Sequence, residues 1–270
     1  MGDRLLVKNV PLPPPVLAGS GSSGWKFLSA ALCSTPVSTC NMVTGMDNGK
    51  IKCHHGLMQE KMKKFAILLN GDLEVTARLK DQLVGAEIIA ADGGMRHANR
   101  LGVEPICWIG DFDSSNEDLL KQWPDVPRLE HPPLKDKTDG ELAVDHAIEN
   151  GASEIVLVAG LGGQTDQVMS HLLQLIKLAR QKIKSFASSG KEEAWPLLVG
   201  SCLYDFPHGA VLSIVGLSPI ERLSVRGVKW ELEAADVEFG STLTMSNEVT
   251  GPVSIVLCGG CGVVLARNTA

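Results

Sequence analysis

The chain has few aromatic residues, no long apolar run and no cysteine framework. Phe, Trp and Tyr make up 4% of its 270 residues, too few for the platforms on which single-stranded nucleic acids stack. No stretch approaches the roughly 18 uninterrupted apolar residues that mark a membrane-spanning helix. Seven Cys, an odd number, follow no disulfide-framework spacing, which fits a reducing, cytoplasmic compartment. The opening residues 1–24 are broken by Pro and Gly and make a poor signal peptide, and they are low in Arg for a transit peptide. No G-x-G-x-x-G follows the first apolar strand, so the dinucleotide fingerprint is missing as well.

What is present has the profile of a soluble globular protein, with 44% hydrophobic and 21% charged residues. The length suits one large domain or two modest ones. A net charge of −6 conceals an asymmetry. Residues 1–64 carry eight Lys or Arg and three Asp or Glu, whereas the rest carry 17 and 28. An acidic globular part repels phosphate backbones and argues against nucleic acid as a partner. Any polyphosphate bound there needs metal ions as intermediaries.

Residues 1–61 are rich in Pro, Ser, Gly and Thr, show no sustained period, and read as a disordered extension. Cys33, Cys40, Cys53, His54 and His55 match no common structural zinc spacing. Met58 and Met62 lie just ahead of the first convincing strand.

From Lys64 strands and helices alternate. "FAILLNG" reads as a buried strand, followed by a helix around Leu73–Val84. "EIIAAD" is a second strand leading through "GGMRHANRLG" into a short helix, and "PICWIGD" is a third. "SSNEDLLKQW" reads as a helix capped by Ser114 or Ser115. "PRLEHPP" is a short fourth strand, and Thr138 to Asn150 a helix stopped by Gly151. "EIVLVAG" is a fifth strand, followed by a long amphipathic helix from Asp166 to Lys184. This alternation predicts an α/β domain with a parallel sheet over residues 62–190. Short β-rich runs follow, among them "PLLVG", "AVLSIVG", "RLSVRGVKWEL", "STLTMSN" and "VSIVLCGGCGVVLA". They predict a smaller antiparallel β-sandwich domain over residues 191–270. "CGGC" at Cys258–Cys261 reads as a glycine turn between strands, and His171 as a structural residue of the long helix.

In a parallel sheet the ligand site lies beyond the carboxyl ends of the strands. Asp92 closes the second strand, Asp111 and Asp113 the third, Asp136 and Asp139 follow the fourth, and Asp166 follows the fifth. A single strand-end Asp is usually a turn former. Five or six on one rim, interleaved with glycines, point instead to a hard cation and a phosphate. Mg²⁺ takes one or two carboxylates together with phosphate oxygens and water, which gives a use to two acids crowded into "GDFDS".

These motifs together resemble the thiamine pyrophosphokinase family. The markers are "ADGG" at Ala91–Gly94, "GDFDS" at Gly110–Ser114, "KDKTDGELA" at Lys135–Ala143, "GGQTDQ" at Gly162–Gln167, "GVKWEL" at Gly227–Leu232 and "SNE" at Ser246–Glu248. The resemblance implies an α/β domain that binds ATP and Mg²⁺ and a β-domain that helps form a thiamine pocket at a homodimer interface. Asp111, Asp113 and Asp139 would be the catalytic and metal-binding set. Asp92, Gly93 and Asp166 would line the nucleotide site, with Thr138 and Gln167 beside the phosphates. Trp230, Ser246 and Asn247 would face thiamine, the Trp230 ring offering its π-face to a cation. The reaction implied is attack of the thiamine hydroxyl on the β-phosphorus of ATP, with Asp139 or Asp113 as candidates for removing the proton. Thiamine and ATP are the implied partners, with no nucleic acid and no membrane. One departure is Gln164, where the family usually has Arg; Lys135, Lys137 or Arg96 are the candidate replacements for that charge.

Two other readings fit parts of the pattern. An Asp-x-Asp phosphatase would use Asp111 as a nucleophile, but the Gly before it and the remaining motifs speak against this. A homologue that binds thiamine or nucleotide without turnover would follow if Gln164 removes a needed charge.

Overall fold

The computed structural model describes residues 63–112, 117–130 and 136–268. The expected disorder of residues 1–61, the Cys/His set within them, the Ser114 or Ser115 cap, Asp113 and Lys135 lie outside the described residues. The described residues all belong to one compact unit.

Six parallel strands form the first half. In chain order they are β1 (Lys64–Leu68), β2 (Glu87–Ala91), β3 (Pro105–Gly110), β4 (Arg128–Glu130), β5 (Glu154–Val158) and β6 (Lys184–Ser188). The helices between them are α1 (Ala77–Leu83), α2 (Ala98–Leu101), α3 (Glu117–Gln122), α4 (Asp139–Glu149) and α5 (Thr165–Arg180). The strands lie side by side in the order β6-β5-β1-β2-β3-β4. β1, β2, β3 and β5 are nearly all apolar because both faces are covered, whereas the edge strand β4 (Arg128–Glu130) is not. Phe65, Ile67, Ile155 and Leu157 pack with Leu172, Leu175 and Leu178 of α5 on one face. Ala66, Leu68, Val156 and Val158 pack with Leu79 and Leu83 of α1 on the other.

The antiparallel half comprises β7 (Glu192–Leu197), β8 (Gly200–Tyr204), β9 (Val211–Gly216), β10 (Ile220–Val228), β11 (Leu232–Val237), β12 (Asn247–Leu257) and β13 (Gly262–Arg267). β7 pairs antiparallel with β6, so the two halves share one continuous sheet. Strand β12 passes between two leaves: Asn247 and Glu248 pair with β9, whereas Val253–Leu257 pair with β8. Leu212, Ile214 and Val264 of one leaf and Leu223, Val225 and Ile255 of the other form a second core. The expected class, a parallel-sheet half followed by an antiparallel one, is the one observed.

Several boundaries differ from the sequence expectation. The long helix stops at Arg180, and Lys184–Ser188 is strand β6. The stop is conformational, since Lys182 takes the left-handed φ of 64° that ends a helix. Helix α1 begins at Ala77, four residues later than expected, because the Thr76 side chain caps it by accepting from the Leu79 N–H at 3.1 Å. "STLTMSN" is a turn rather than a strand up to Ser246, with the Ser241 hydroxyl accepting from the Leu243 N–H. "CGGC" does connect two strands, but β12 and β13 are separated by β9 and are not a hairpin.

A buried carboxylate ties the halves together. Glu193 on β7 is 2% exposed and accepts from Arg78 and Gln82 of α1 and from the Trp195 indole. Its four hydrogen bonds replace the water it has lost. Glu193→Ala is expected to lower the unfolding free energy by about 3–5 kcal/mol in a denaturant titration; a loss below about 1 kcal/mol would mean solvent already screens the cluster.

The second tie is a backbone seam at the sheet's carboxyl edge. A Cβ on Gly71, just after β1, would collide with the carbonyl oxygens of Ala159 and Gly162, just after β5. A Cβ on Gly162 would in turn come within 2.7 Å of the Asp72 Cβ. Gly71→Ala is expected to cost about 1–3 kcal/mol by forcing the two loops apart, seen as a lower melting temperature; an unchanged transition would show that the seam is free to open.

Candidate functional site

Strand order reverses between β1 and β5, because the chain builds β2, β3 and β4 on one side of β1 and β5 and β6 on the other. Such a switch point leaves a crevice at the carboxyl ends where the two flanking loops diverge. Its walls here are Asn70–Asp72 after β1 and Gly160–Asp166 after β5, held by the Gly71 seam.

The strand-end acids lie along this edge. Asp92 follows β2 with a left-handed φ of 41°, and its carbonyl accepts from the Trp108 indole at 2.8 Å. A Cβ on Gly110 would stand 3.3 Å from the Asp92 Cα, so the ends of β2 and β3 are in contact. Asp111 follows β3 and is half-buried. Phe112 and Ala159 also have positive φ, 59° and 60°. Three non-glycine residues at the ends of β2, β3 and β5 are thus in a conformation that L residues seldom adopt, a concentration typical of functional rims. Asp139 opens helix α4, behind the Thr138 cap. Gly93 packs against the Asn70 side chain, where a Cβ would come within 2.7 Å. Asp166 is exposed in the first turn of α5, and its carboxylate accepts from the Gln167 N–H at 2.9 Å. Asp136 is exposed ahead of α4.

Asp111 and Asp139 are hard oxygen donors of the kind Mg²⁺ takes, and that ion completes its shell with phosphate oxygens and water. Among the described residues no group of three His, Cys, Asp or Glu gathers closely enough to hold a metal by itself. The donor chemistry fits Mg²⁺ shared with a phosphate ligand rather than a closed protein cage.

Two side chains named from the sequence already have partners. The Thr138 hydroxyl is occupied as a helix cap, accepting from the Glu141 N–H at 3.2 Å. Lys137 pairs with Asp145 at 2.5 Å, so its charge is directed along α4. Arg96 is on the edge: its Nη2 donates to the carbonyls of Asn70 at 2.7 Å and Gly71 at 2.9 Å. Beneath it, His97 is 1% exposed and its Nε2 lies 2.9 Å from the Gly71 carbonyl. The Arg96 Nε is also 3.3 Å from that nitrogen. A single Nε2 cannot serve both, and the shorter contact assigns its proton to Gly71. Burial lowers the His97 pKa, opposed by the Gly71 bond and reinforced by Arg96 and Arg100, so His97 stays neutral. Burial likewise lowers His171, whose Nδ1 lies 2.9 Å from the Gly160 carbonyl under the crevice. Asn70, Asp72 and His97 escaped the sequence reading; the signal was "NGD" directly after the first buried strand.

A separate cavity of about 360 Å³ lies in the antiparallel half, lined by Trp230, Asn247, Leu243, Thr244 and Met245 among others. Asn247 fixes Trp230 through two bonds, accepting from its N–H at 3.0 Å and donating to its carbonyl at 2.7 Å. The exposed indole already carries a cation, with the Lys229 Nζ 5.0 Å from the ring centroid. Ser246 is not among the lining residues; it has a φ of 57°, and its N–H donates to Ser213.

Comparison with known proteins ties both regions to one family. The thiamin pyrophosphokinase catalytic domain matches residues 81–187, and the thiamin pyrophosphokinase vitamin B1 binding domain matches residues 204–259. Thiamin pyrophosphokinase 1 of Caenorhabditis elegans is 27% identical over 218 residues, covering 72% of this chain and 88% of that protein. Thiamine pyrophosphokinase of Bacillus subtilis (strain 168) is 27% identical over 167 residues, 60% of this chain and 77% of that protein. The crystal structure of thiamine pyrophosphokinase from Bacillus subtilis superposes with a TM-score of 0.69 at 23% identity, covering 77% of this chain and 100% of that one; at that identity the likeness speaks for the fold. With the two domain matches in chain order and together spanning more than half of its length, the chain belongs to the thiamin pyrophosphokinase family.

Proposed function

We propose that this chain is an ATP-dependent thiamine diphosphokinase that works at the switch-point crevice. The observation that carries the reading is the acid-rich rim, whose Asp92, Asp111, Asp139 and Asp166 lie within the matched catalytic domain, with the Trp230 cavity within the matched vitamin B1 domain. The thiamine hydroxyl oxygen bonds to the β-phosphorus of ATP, the bond from that phosphorus to the α-phosphate oxygen breaks, AMP leaves, and the hydroxyl proton is released. Little covalent chemistry falls to the protein, whose task is alignment and charge neutralisation.

Asp111, Asp113 and Asp139 would hold Mg²⁺, which when bound supplies positive charge beside the phosphate oxygens. Asp92, Gly93 and Asp166 line the nucleotide, with Gln167 and the capped Thr138 turn close to the phosphates. Trp230 and Asn247 receive thiamine, and Ser246 shapes the adjoining turn. The chain divides in this reading into an extension over 1–61, a catalytic domain over 62–190 and a thiamine-binding domain over 191–270.

The active unit is read as a homodimer. Between β5, beside the crevice, and β10, beside the Trp230 cavity, lie six strand spacings of about 4.8 Å each along the sheet. No helix among the described residues is long and apolar enough to cross a membrane, and the acidic globular part disfavours nucleic acid. The setting is taken to be cytoplasmic.

Purified protein given Mg-ATP and thiamine is expected to form AMP and thiamine diphosphate in equal amounts; absence of both products overturns the reading. Asp111→Ala and Asp139→Ala are each expected to lower kcat/KM by at least about a hundredfold while the thermal transition is retained. Near-normal turnover in either variant would remove that residue from the metal set. Trp230→Ala is expected to raise the KM for thiamine roughly tenfold with little change in the KM for ATP, and equal changes in both would place the indole elsewhere in the mechanism.

A further inference from the structure

The crevice is rich in negative charge, with Asp72, Asp92, Asp111, Asp139 and Asp166 on its loops and helix ends. A polyphosphate entering it is a further concentration of anions. Bound Mg²⁺ would offset part of this, and a cation of the protein's own at the ends of β1 and β5 would offset more. Arg96 occupies that position among the described residues. It is exposed, it lies on the turn that follows β2, and it reaches across to the end of β1.

Three features together set Arg96 apart from other cations of the parallel half; Arg100, which also donates to a backbone carbonyl, reaches Leu73 and not the seam. Its guanidinium is held by two backbone carbonyls, and among the described residues it pairs with no carboxylate, so its charge is not cancelled. By contrast Lys137 is paired with Asp145, Lys177 with Glu141 and Arg78 with Glu193. Only Nη2 is used on the carbonyls, which leaves the two N–H groups of Nη1 for a ligand. The carbonyls it grips belong to the seam itself, since Gly71 is the residue packed against Gly162. Buried neutral His97 shares the Gly71 carbonyl and fixes the turn that carries Arg96. A guanidinium fixed before the ligand arrives loses little side-chain entropy on binding.

We propose that Arg96 is a substrate-contacting residue that binds the polyphosphate of the nucleotide in the crevice between β1 and β5, with His97 as its positioning residue. The assignment rests on the proposed function for the identity of the nucleotide. Arg96 bridges two loops and binds a phosphate with the same group, so occupancy of the crevice and integrity of the seam are linked through one side chain.

Binding of ATP and of adenosine to the full chain, measured by titration calorimetry without thiamine, separates these roles. Arg96→Gln is expected to weaken ATP about 10- to 100-fold and to leave adenosine unchanged, while Arg96→Lys restores part of the ATP affinity because it keeps the charge but not the fork. Equal weakening of ATP and adenosine would reduce Arg96 to a staple of the β1 loop. Unchanged ATP affinity in Arg96→Gln would remove it from the site altogether. Failure of the parent reading looks different: wild-type protein would then form no AMP from ATP and thiamine, whereas the binding comparison would still report on Arg96.

Discussion

The close backbone approach of Gly71 to Ala159 and Gly162 is the constraint on which the site depends. Strands β1 and β5 are neighbours in the sheet but belong to stretches of chain separated by β2, β3 and β4. Their outgoing loops would ordinarily diverge, and the seam draws them together at the bottom of the crevice. Side chains at Gly71 or Gly162 would fill the space that lets the loops meet. The seam is reinforced from the other side by Arg96, His97 and Arg100, which donate to the carbonyls of Asn70, Gly71 and Leu73. A short turn after β2 thus secures the loop after β1 while the loop after β5 closes against it.

Strain and charge are concentrated on the same edge. Asp92, Phe112 and Ala159 have positive φ, and each sits where a strand ends. The surroundings hold them there: the Trp108 indole donates to the Asp92 carbonyl, and the Phe112 ring packs edge-on against Trp108 with centroids 5.0 Å apart. A rigid hydrophobic floor therefore carries a rim of carboxylates whose mutual repulsion a bound cation would lower. That makes an acidic rim compatible with an anionic substrate.

The antiparallel half contributes in a different way. It continues the same sheet through β7 but builds its own core, and its cavity presents an exposed indole fixed by Asn247. Glu193 links this half to α1 with a satisfied buried carboxylate, so the half that holds Trp230 is anchored to the half that holds the acids. The anchoring still leaves cavity and crevice on different strands of the sheet.

The sequence by itself determined the parallel half, because strands buried on both faces must be almost wholly apolar and "FAILL", "EIIAA" and "EIVLV" are. It also determined that acids follow the strands, and hence which edge of the sheet is the candidate site. The β-rich second half was legible from its short β-rich runs, and "GVKWEL" and "SNE" pointed through family resemblance to Trp230 and Asn247, which line one cavity. Tertiary structure alone decided three things. Strand β6 pairs beside β5 although "KSFAS" continues a helical stretch, because its partner supplies what local propensity does not. Lys137 is paired with Asp145, and Thr138 caps α4, since these bonds depend on where α4 begins. Arg96 reaches the β1 carbonyls across 25 and 26 residues of chain, a contact that no local pattern encodes, and it depends on the strand order that sets β1 between β2 and β5.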